Sequence, residues 1–186
     1  GVEAAGHTAG ELDPGDGMPS VALYLMLYSV LVIGMIGVVT VVSRAAGNRD
    51  GDSSLDSFKG MAKRRPALAL GFTALLLAGA GVPVTSGFIA KFGVIQAAVE
   101  VESYALAIIA MVAAVVAAFM YLRIMVNMWL SPPEDGAVEA DAAGTGISID
   151  LSSGLAIAAA VAFTLFVGVF PSWLIDAAET VNVIAR

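Results

Sequence analysis

The chain has 186 residues, 59% of them hydrophobic and 13% charged, with a mean hydropathy of +0.88. Soluble domains are about a quarter charged and under half apolar, so the composition excludes a water-soluble enzyme or binding module and describes an integral membrane protein. The net charge of −7, with no basic patch interleaved with aromatics, excludes a nucleic-acid binder, and the absence of cysteine excludes disulfide scaffolds, thiolate metal sites and thiol nucleophiles.

Residues 1–18 form a polar segment with Glu3, Glu11, Asp13 and Asp16 and no Lys or Arg. The segment opens at Gly1 without the charged-then-apolar pattern of a signal sequence, so the chain is read as beginning mid-protein. Its His7, the single histidine, cannot build a haem or zinc site alone. A span needs about 20 apolar residues to cross roughly 30 Å of hydrocarbon, and 19–43 is the first uncharged stretch that meets this. In it Gly34 and Gly37 read as helix-packing positions. The 44–65 connection then holds Arg44, Arg49, Lys59, Lys63, Arg64 and Arg65, six of the nine basic residues. Within it Leu55, Phe58, Met61 and Ala62 follow helical spacing after Asp52-Ser53-Ser54, which predicts a short amphipathic surface helix.

Apolar character runs next from Pro66 to Val99, interrupted by Lys91. As one helix this stretch would be roughly 50 Å long, too long for a single crossing. Inside it Gly79-Ala80-Gly81-Val82-Pro83-Val84-Thr85-Ser86-Gly87 concentrates helix breakers and N-cap residues. The spacing therefore predicts two short helices, 66–81 and 85–100, meeting at a turn. A span over 104–130 follows, interrupted only by Arg123, then an acidic, flexible connection over 131–150 that opens with Pro-Pro. The last span is 151–175, followed by a tail over 176–186. The fold class is all-α integral membrane, with about five transmembrane helices including a broken pair around Gly81–Gly87. Such a bundle exposes lateral surface meant for neighbouring helices. Tyr121, Trp129 and Trp173 lie near span ends and read as interfacial aromatics. Counting Lys and Arg alone places 44–65 in the cytoplasm and 1–18 outside.

Two charges lie inside spans. An ammonium near mid-membrane costs at least ~2.5–3.5 kcal/mol on insertion scales, so Lys91 persists because it snorkels, pairs with a carboxylate or lines a wet pathway. Apolar residues enclose it on both sides, and an amine in such surroundings can hold or release a proton near neutral pH. That is what a proton relay requires; an anchor or a structural ion pair is the alternative. The break before it, Gly81, Pro83, Thr85 and Gly87, would admit water if the backbone is open at membrane depth, or would be an ordinary tight loop at the surface. Arg123 lies about 12 Å inside its span's end, within snorkelling reach of the headgroups, and reads as an anchor or a structural charge paired with a neighbouring subunit. Glu100 and Glu102 flank a turn and read as solvated; Asp176 and Glu179 follow the last span. No dinucleotide or phosphate loop and no Ser/His/Asp set occurs, so no cofactor-binding or metal residues are assigned.

The run Leu77-Ala78-Gly79-Ala80-Gly81-Val82-Pro83-Val84-Thr85-Ser86-Gly87-Phe88-Ile89-Ala90-Lys91-Phe92 closely resembles the "GxPxTxGFxxKF" segment of antiporter-like membrane subunits. These occur in respiratory complex I, in multisubunit cation/proton antiporters and in membrane-bound hydrogenases. Asp56-Ser57-Phe58-Lys59-Gly60-Met61-Ala62-Lys63-Arg64-Arg65-Pro66 resembles the "lxGLxkrxP" run of subunit N of NADH–quinone oxidoreductase. Phe119-Met120-Tyr121-Leu122-Arg123-Ile124 is similar to its "YYLR" signature, with Met120 in place of the second aromatic. A closing Val169-Phe170-Pro171 before Leu174-Ile175 also fits. The resemblance runs from about Ala22 to the C-terminus.

It implies the last five or so helices of a subunit of roughly fourteen, with Lys91 at the position of the family's discontinuous-helix lysine in a chain of protonatable groups. The family's glutamate–lysine pair and its other central lysine have no counterpart here. The implied function is proton translocation as part of a multisubunit NADH:quinone oxidoreductase in the cell inner membrane. NAD, flavin, iron–sulfur clusters and quinone would then sit on other subunits, and the partners would be other membrane subunits and the lipid bilayer. A cation/proton antiporter subunit, a hydrogenase subunit or a structural assembly bundle are the alternatives. The family's orientation, with both termini of the full subunit outside, would put 44–65 outside, opposite to the Lys/Arg count.

Overall fold

A computed structural model describes residues 18–45, 55–83, 85–133, 147 and 149–170. The helices are α1 (Met18–Ala45), the single turn α2 (Met61–Arg64), α3 (Pro66–Ala80), α4 (Ser86–Glu100), α5 (Tyr104–Leu130) and α6 (Leu151–Val169). Three stretches are long and apolar enough to cross a membrane, Tyr24–Arg44, Tyr104–Leu130 and Leu151–Val169, while α3 is apolar but short. At 1.5 Å per residue the 15 residues of α3, and the 15 of α4, each reach only about 22 Å. Neither crosses roughly 30 Å of hydrocarbon alone.

Packing shows how the short helices are used. Val38, Val41 and Val42 of α1 share a cluster with Leu68 and Phe72 of α3. Farther back along α1, Gly34 lies against Leu75 and Met35 against Gly79. Farther still, Leu27 packs with Ala90 of α4. Residue numbers fall along α1 as they rise from α3 into α4, so the pair runs antiparallel to α1 from end to end. It is one interrupted crossing. Helix α5 returns beside it, with Ala110, Ala113 and Ala114 near Val94 and Ile95, Tyr121 at Gly79, and Met128 in the cluster of Phe58 and Met61. Along α6, Ile157 meets Gly37, Ala160 meets Gly34 and Val167 meets Leu27, so α6 is parallel to the α3–α4 pair. Among the described residues α1, the α3–α4 pair, α5 and α6 thus make four passes.

Lipid tails are as apolar as leucine, so the helices associate through close packing rather than exclusion of water. Gly34 is a point of close approach between α1 and α6: a Cβ there would lie 2.7 Å from the Ala160 Cβ and 3.0 Å from Leu75 Cδ1. By contrast α5 turns a long face outward. Ile108, Ile109, Val112, Val115, Val116 and Phe119 are exposed, a surface for lipid or neighbouring helices.

The basic connection departs from the expected amphipathic surface helix. A 3₁₀ turn, Leu55–Phe58, and the single turn α2 are separated by Gly60 at φ 63°, in the left-handed region that glycine adopts without a Cβ penalty. Phe58 and Met61 do not line a surface helix but are buried in the core, Phe58 stacking on Phe72 at 5.6 Å between ring centroids. The physical reason is local: Gly60 in the left-handed region breaks the expected helix into two short turns, while Phe58 and Met61, three residues apart, still face the core. The Gly60 N–H donates to the Asn127 carbonyl at 3.3 Å, tying the connection to α5, and Lys59 pairs with Asp56 at 2.7 Å. The expected polar segment before residue 18, most of the 131–150 connection, the last residues of the 151–175 span with Pro171 and Trp173, and the tail lie outside the described residues.

Candidate functional site

The interruption between α3 and α4 begins with a glycine cap. Gly81 has φ 86°, and its N–H donates to the carbonyls of Leu77 and Ala78, both at 3.0 Å, while the Val82 N–H donates to Leu77 at 3.1 Å. This is the left-handed ending that closes the last carbonyls of a helix. The Thr85 hydroxyl does not cap α4; it donates to the Val82 carbonyl at 2.7 Å and so closes the turn instead. The Phe88 N–H turns to the Thr85 carbonyl at 3.2 Å. Val82 and Pro83 stand exposed at the outer side of the turn, whereas Thr85, Ser86 and Gly87 are buried. Ser86 Oγ has no hydrogen-bond partner among the described residues.

Gly87 sets the approach of the two helices. A Cβ on it would collide with the Ala78 carbonyl, so only glycine lets the first turn of α4 lie against the last turn of α3. One turn farther along α4, Lys91 folds its side chain back over the break. Its Nζ donates to the Gly79 carbonyl at 2.6 Å, and its stem passes Gly81 so closely that a Cβ there would lie 3.2 Å from Lys91 Cδ. The last carbonyls of a helix carry the negative end of its dipole, which favours a nearby cation by about 0.3–1 kcal/mol and more when partly buried. Lys91 thus sits, partly buried, on a neutral acceptor rather than a carboxylate. No carboxylate reaches it among the described residues.

Two tyrosines complete the surroundings. A Cβ at Gly79 would lie 3.0 Å from the Tyr121 ring, so that ring leans on the residue whose carbonyl holds Lys91. Tyr28 lies near Tyr121 and stacks on Tyr24 at 5.1 Å between ring centroids. A cleft of about 250 Å³ is bounded by Tyr24, Tyr28, Lys91 and the small residues Ala110, Ala113 and Ala114. Tyr121 lies at the level of the helix break, because α5 continues well past the break to pack Met128 under the basic connection. Trp129 donates its Nε1–H to Thr73 Oγ1 at 2.9 Å, a tie between α5 and α3. Arg123 is exposed on α5, away from this cluster, and has no ion-pair partner among the described residues.

Gly81, Pro83, Thr85, Gly87 and Lys91 were reached from sequence; Gly79, Tyr28 and Tyr121 were not. A carbonyl has no residue signature. The tyrosines had one: Tyr24 and Tyr28 are four apart and polar-tipped in an otherwise uncharged span.

A family model described as NADH:quinone oxidoreductase/Mrp antiporter, TM, matches residues 12–117, a stretch that holds the broken pair and Lys91. The chain belongs to this family. Among its relatives, NADH-quinone oxidoreductase subunit N of Acinetobacter baumannii (strain AB0057) is 36% identical over 166 residues, 89% of this chain and 32% of the relative. Subunit N 3 of Streptomyces griseus is 37% identical over 171 residues, 92% of this chain and 29% of the relative. Subunit N of Saccharopolyspora erythraea is 41% identical over 162 residues, 86% of this chain and 29% of the relative. The chain spans about a third of the length of the relatives it matches.

Proposed function

We propose that this family member is part of the proton-translocating membrane subunit of an NADH–quinone oxidoreductase, with Lys91 as a proton relay at the interrupted crossing. The observation that carries the reading is the Lys91 Nζ on the Gly79 carbonyl at 2.6 Å. A neutral acceptor at a helix end stabilises the ammonium without locking it, since the carbonyl loses little when the amine gives up its proton or swings away. A buried carboxylate would hold it far more firmly, because breaking such a pair leaves a charge uncompensated. Interrupted helices are a recurrent way to place ion sites inside membranes, and here Lys91 is the titratable group at the interruption. The names of the relatives favour the quinone-reducing complex over a cation antiporter or hydrogenase.

On this reading the redox cofactors, NAD, flavin, iron–sulfur clusters and quinone, sit on other subunits, the outward apolar face of α5 meets other membrane helices or lipid, and the assembly resides in the bacterial inner membrane. The chain supplies a step of the proton path and no redox centre. The test is Lys91→Ala in the full-length subunit, with NADH-driven proton uptake and quinone reduction measured in inverted membrane vesicles and assembly checked by native gel. The expected result is an assembled complex whose proton uptake per electron falls several-fold. Normal uptake per electron would make Lys91 an anchor and overturn the reading.

A further inference from the structure

Away from the helix break, the bundle holds a second opening. Helices α3 and α6 run parallel, and between their first halves lies an apolar cleft of about 440 Å³, walled by Ala67 and Gly71 of α3 and by Gly154, Ala158 and Ala162 of α6. Ala67 lies in the first turn of α3 and Gly154 in the first turn of α6, so the cleft lies where both helices begin. Small residues four apart on facing helices ordinarily let the backbones close on each other; here they leave space instead. The cleft follows roughly 12 Å of α6, and a helix of that length, about 10 Å across, fills on the order of 900 Å³. A neighbouring helix therefore cannot enter it, whereas a single flexible hydrocarbon chain can.

Positive charge collects at the same end. Arg64 and Arg65 directly precede Pro66, the first residue of α3, Lys59 and Lys63 lie in the turns before them, and Arg44 is in the last turn of the antiparallel α1. Among the described residues the acids at this end are Asp56, paired with Lys59, and Asp150, whose carboxylate accepts the Ser152 and Ser153 hydroxyls. The Arg65 Nε is buried with no hydrogen-bond partner, and a buried donor left in that state calls for an explanation. Helix α3 begins with no acidic residue in its first turn and no side-chain cap, so no side chain answers the positive end of its dipole, where an anion is favoured. A guanidinium fork matches the oxygens of a phosphate. We propose that this end of the bundle binds an anionic phospholipid, one acyl chain lying in the α3–α6 cleft and the phosphate held by Arg65 at the start of α3. The carboxylate of Asp150 keeps the phosphate on the α3 side. Basic pockets between membrane helices are a recurrent place for such headgroups, and a zwitterionic lipid would bring its own cation against five others. The inference does not depend on the role of Lys91.

The test uses the full-length subunit in the assembled complex, reconstituted with phosphatidylglycerol or with phosphatidylcholine, each carrying the same diazirine-bearing acyl chain. Light-driven capture is mapped by mass spectrometry of the peptides that line the cleft. Expected is capture of phosphatidylglycerol at least five-fold above phosphatidylcholine, falling three-fold or more in Arg65→Gln. Ala158 is exposed, so Ala158→Leu fills the cleft without disturbing the core, and it should lose capture at least five-fold. Ala105→Leu, at an exposed position of α5, should leave capture unchanged. Millimolar inorganic phosphate should also leave it unchanged, because a free anion has no chain to place in the cleft. Equal capture of the two lipids overturns the proposal, as does full displacement by inorganic phosphate, which assigns the basic end to a free anion. Absence of capture at the cleft overturns it as well and gives the cleft to a neighbouring protein. If Arg65→Gln prevents assembly, Ala158→Leu and the comparison of the two lipids decide, and wild-type capture in Ala158→Leu overturns the proposal.

Discussion

Gly87→Ala tests the interrupted crossing at its tightest point. The added methyl would collide with the Ala78 carbonyl, and both partners are backbone, so no rotamer change relieves the clash. Restoring an ordinary contact of about 3.5 Å requires the facing ends of α3 and α4 to separate by on the order of 1 Å. Lys91 rides on α4 one turn beyond Gly87, and its Nζ lies 2.6 Å from the Gly79 carbonyl. The same separation carries that distance past the ~3.2 Å limit of a good hydrogen bond. The variant loses a charge-assisted bond of ~1.5–3 kcal/mol and takes on overpacking strain of ~1–3 kcal/mol, together several kcal/mol. Gly93 on the same helix is the control, since nothing lies within 4 Å of a Cβ there, and alanine is the better helix former by about 1 kcal/mol. The assay is thermal stability of the purified complex together with proton uptake per electron in vesicles. Gly87→Ala is expected to lower both, and Gly93→Ala neither. If Gly87→Ala retains both, the close approach of α3 and α4 does not exist and the argument for Lys91 at the helix end goes with it.

Other consequences are equally direct. Because α3 and α4 together make one crossing, Lys59→Cys and Glu102→Cys should be labelled from opposite sides of the membrane by an impermeant maleimide. This chain contributes no native cysteine, and on a background cleared of other accessible cysteines each variant reports one position. The side that reaches Lys59 also decides between the Lys/Arg count and the family's orientation, and labelling of both from one side would refute the single crossing. Gly34→Leu places a branched side chain where even a Cβ lies 2.7 Å from Ala160. It should cost ~1–3 kcal/mol or more and deplete the assembled complex on a native gel, and wild-type abundance would show that α1 and α6 do not meet there.

How much was legible follows the range of the interactions. Helix positions came from local signals: uncharged runs of membrane length, Pro66 at the first position of α3, and the Gly-Pro-Thr-Gly cluster that stops one helix and starts the next. Lys91 stood out because a lone charge in an apolar run is costly wherever its neighbours are. The amphipathic pattern in 55–62 was real, with Phe58 and Met61 facing the core, but the single helix it suggested is broken into two turns at Gly60. That Tyr121 meets Gly79 was not legible, because distance from a span's end says nothing about how far a helix slides past its neighbour.

The chain's composition and its breakers thus determine that this is an all-helical membrane protein with an interruption beside an intramembrane lysine, because those are properties of segments shorter than the bilayer is thick. The tertiary structure alone decides that the two short helices share one pass, that the Gly79 carbonyl receives the ammonium, and that Tyr28 and Tyr121 meet beside it. Those outcomes depend on the register of α3–α4 and α5 against α1, set by side-chain packing at glycines such as Gly34 and Gly87, and no local pattern in the sequence encodes a sliding distance between helices.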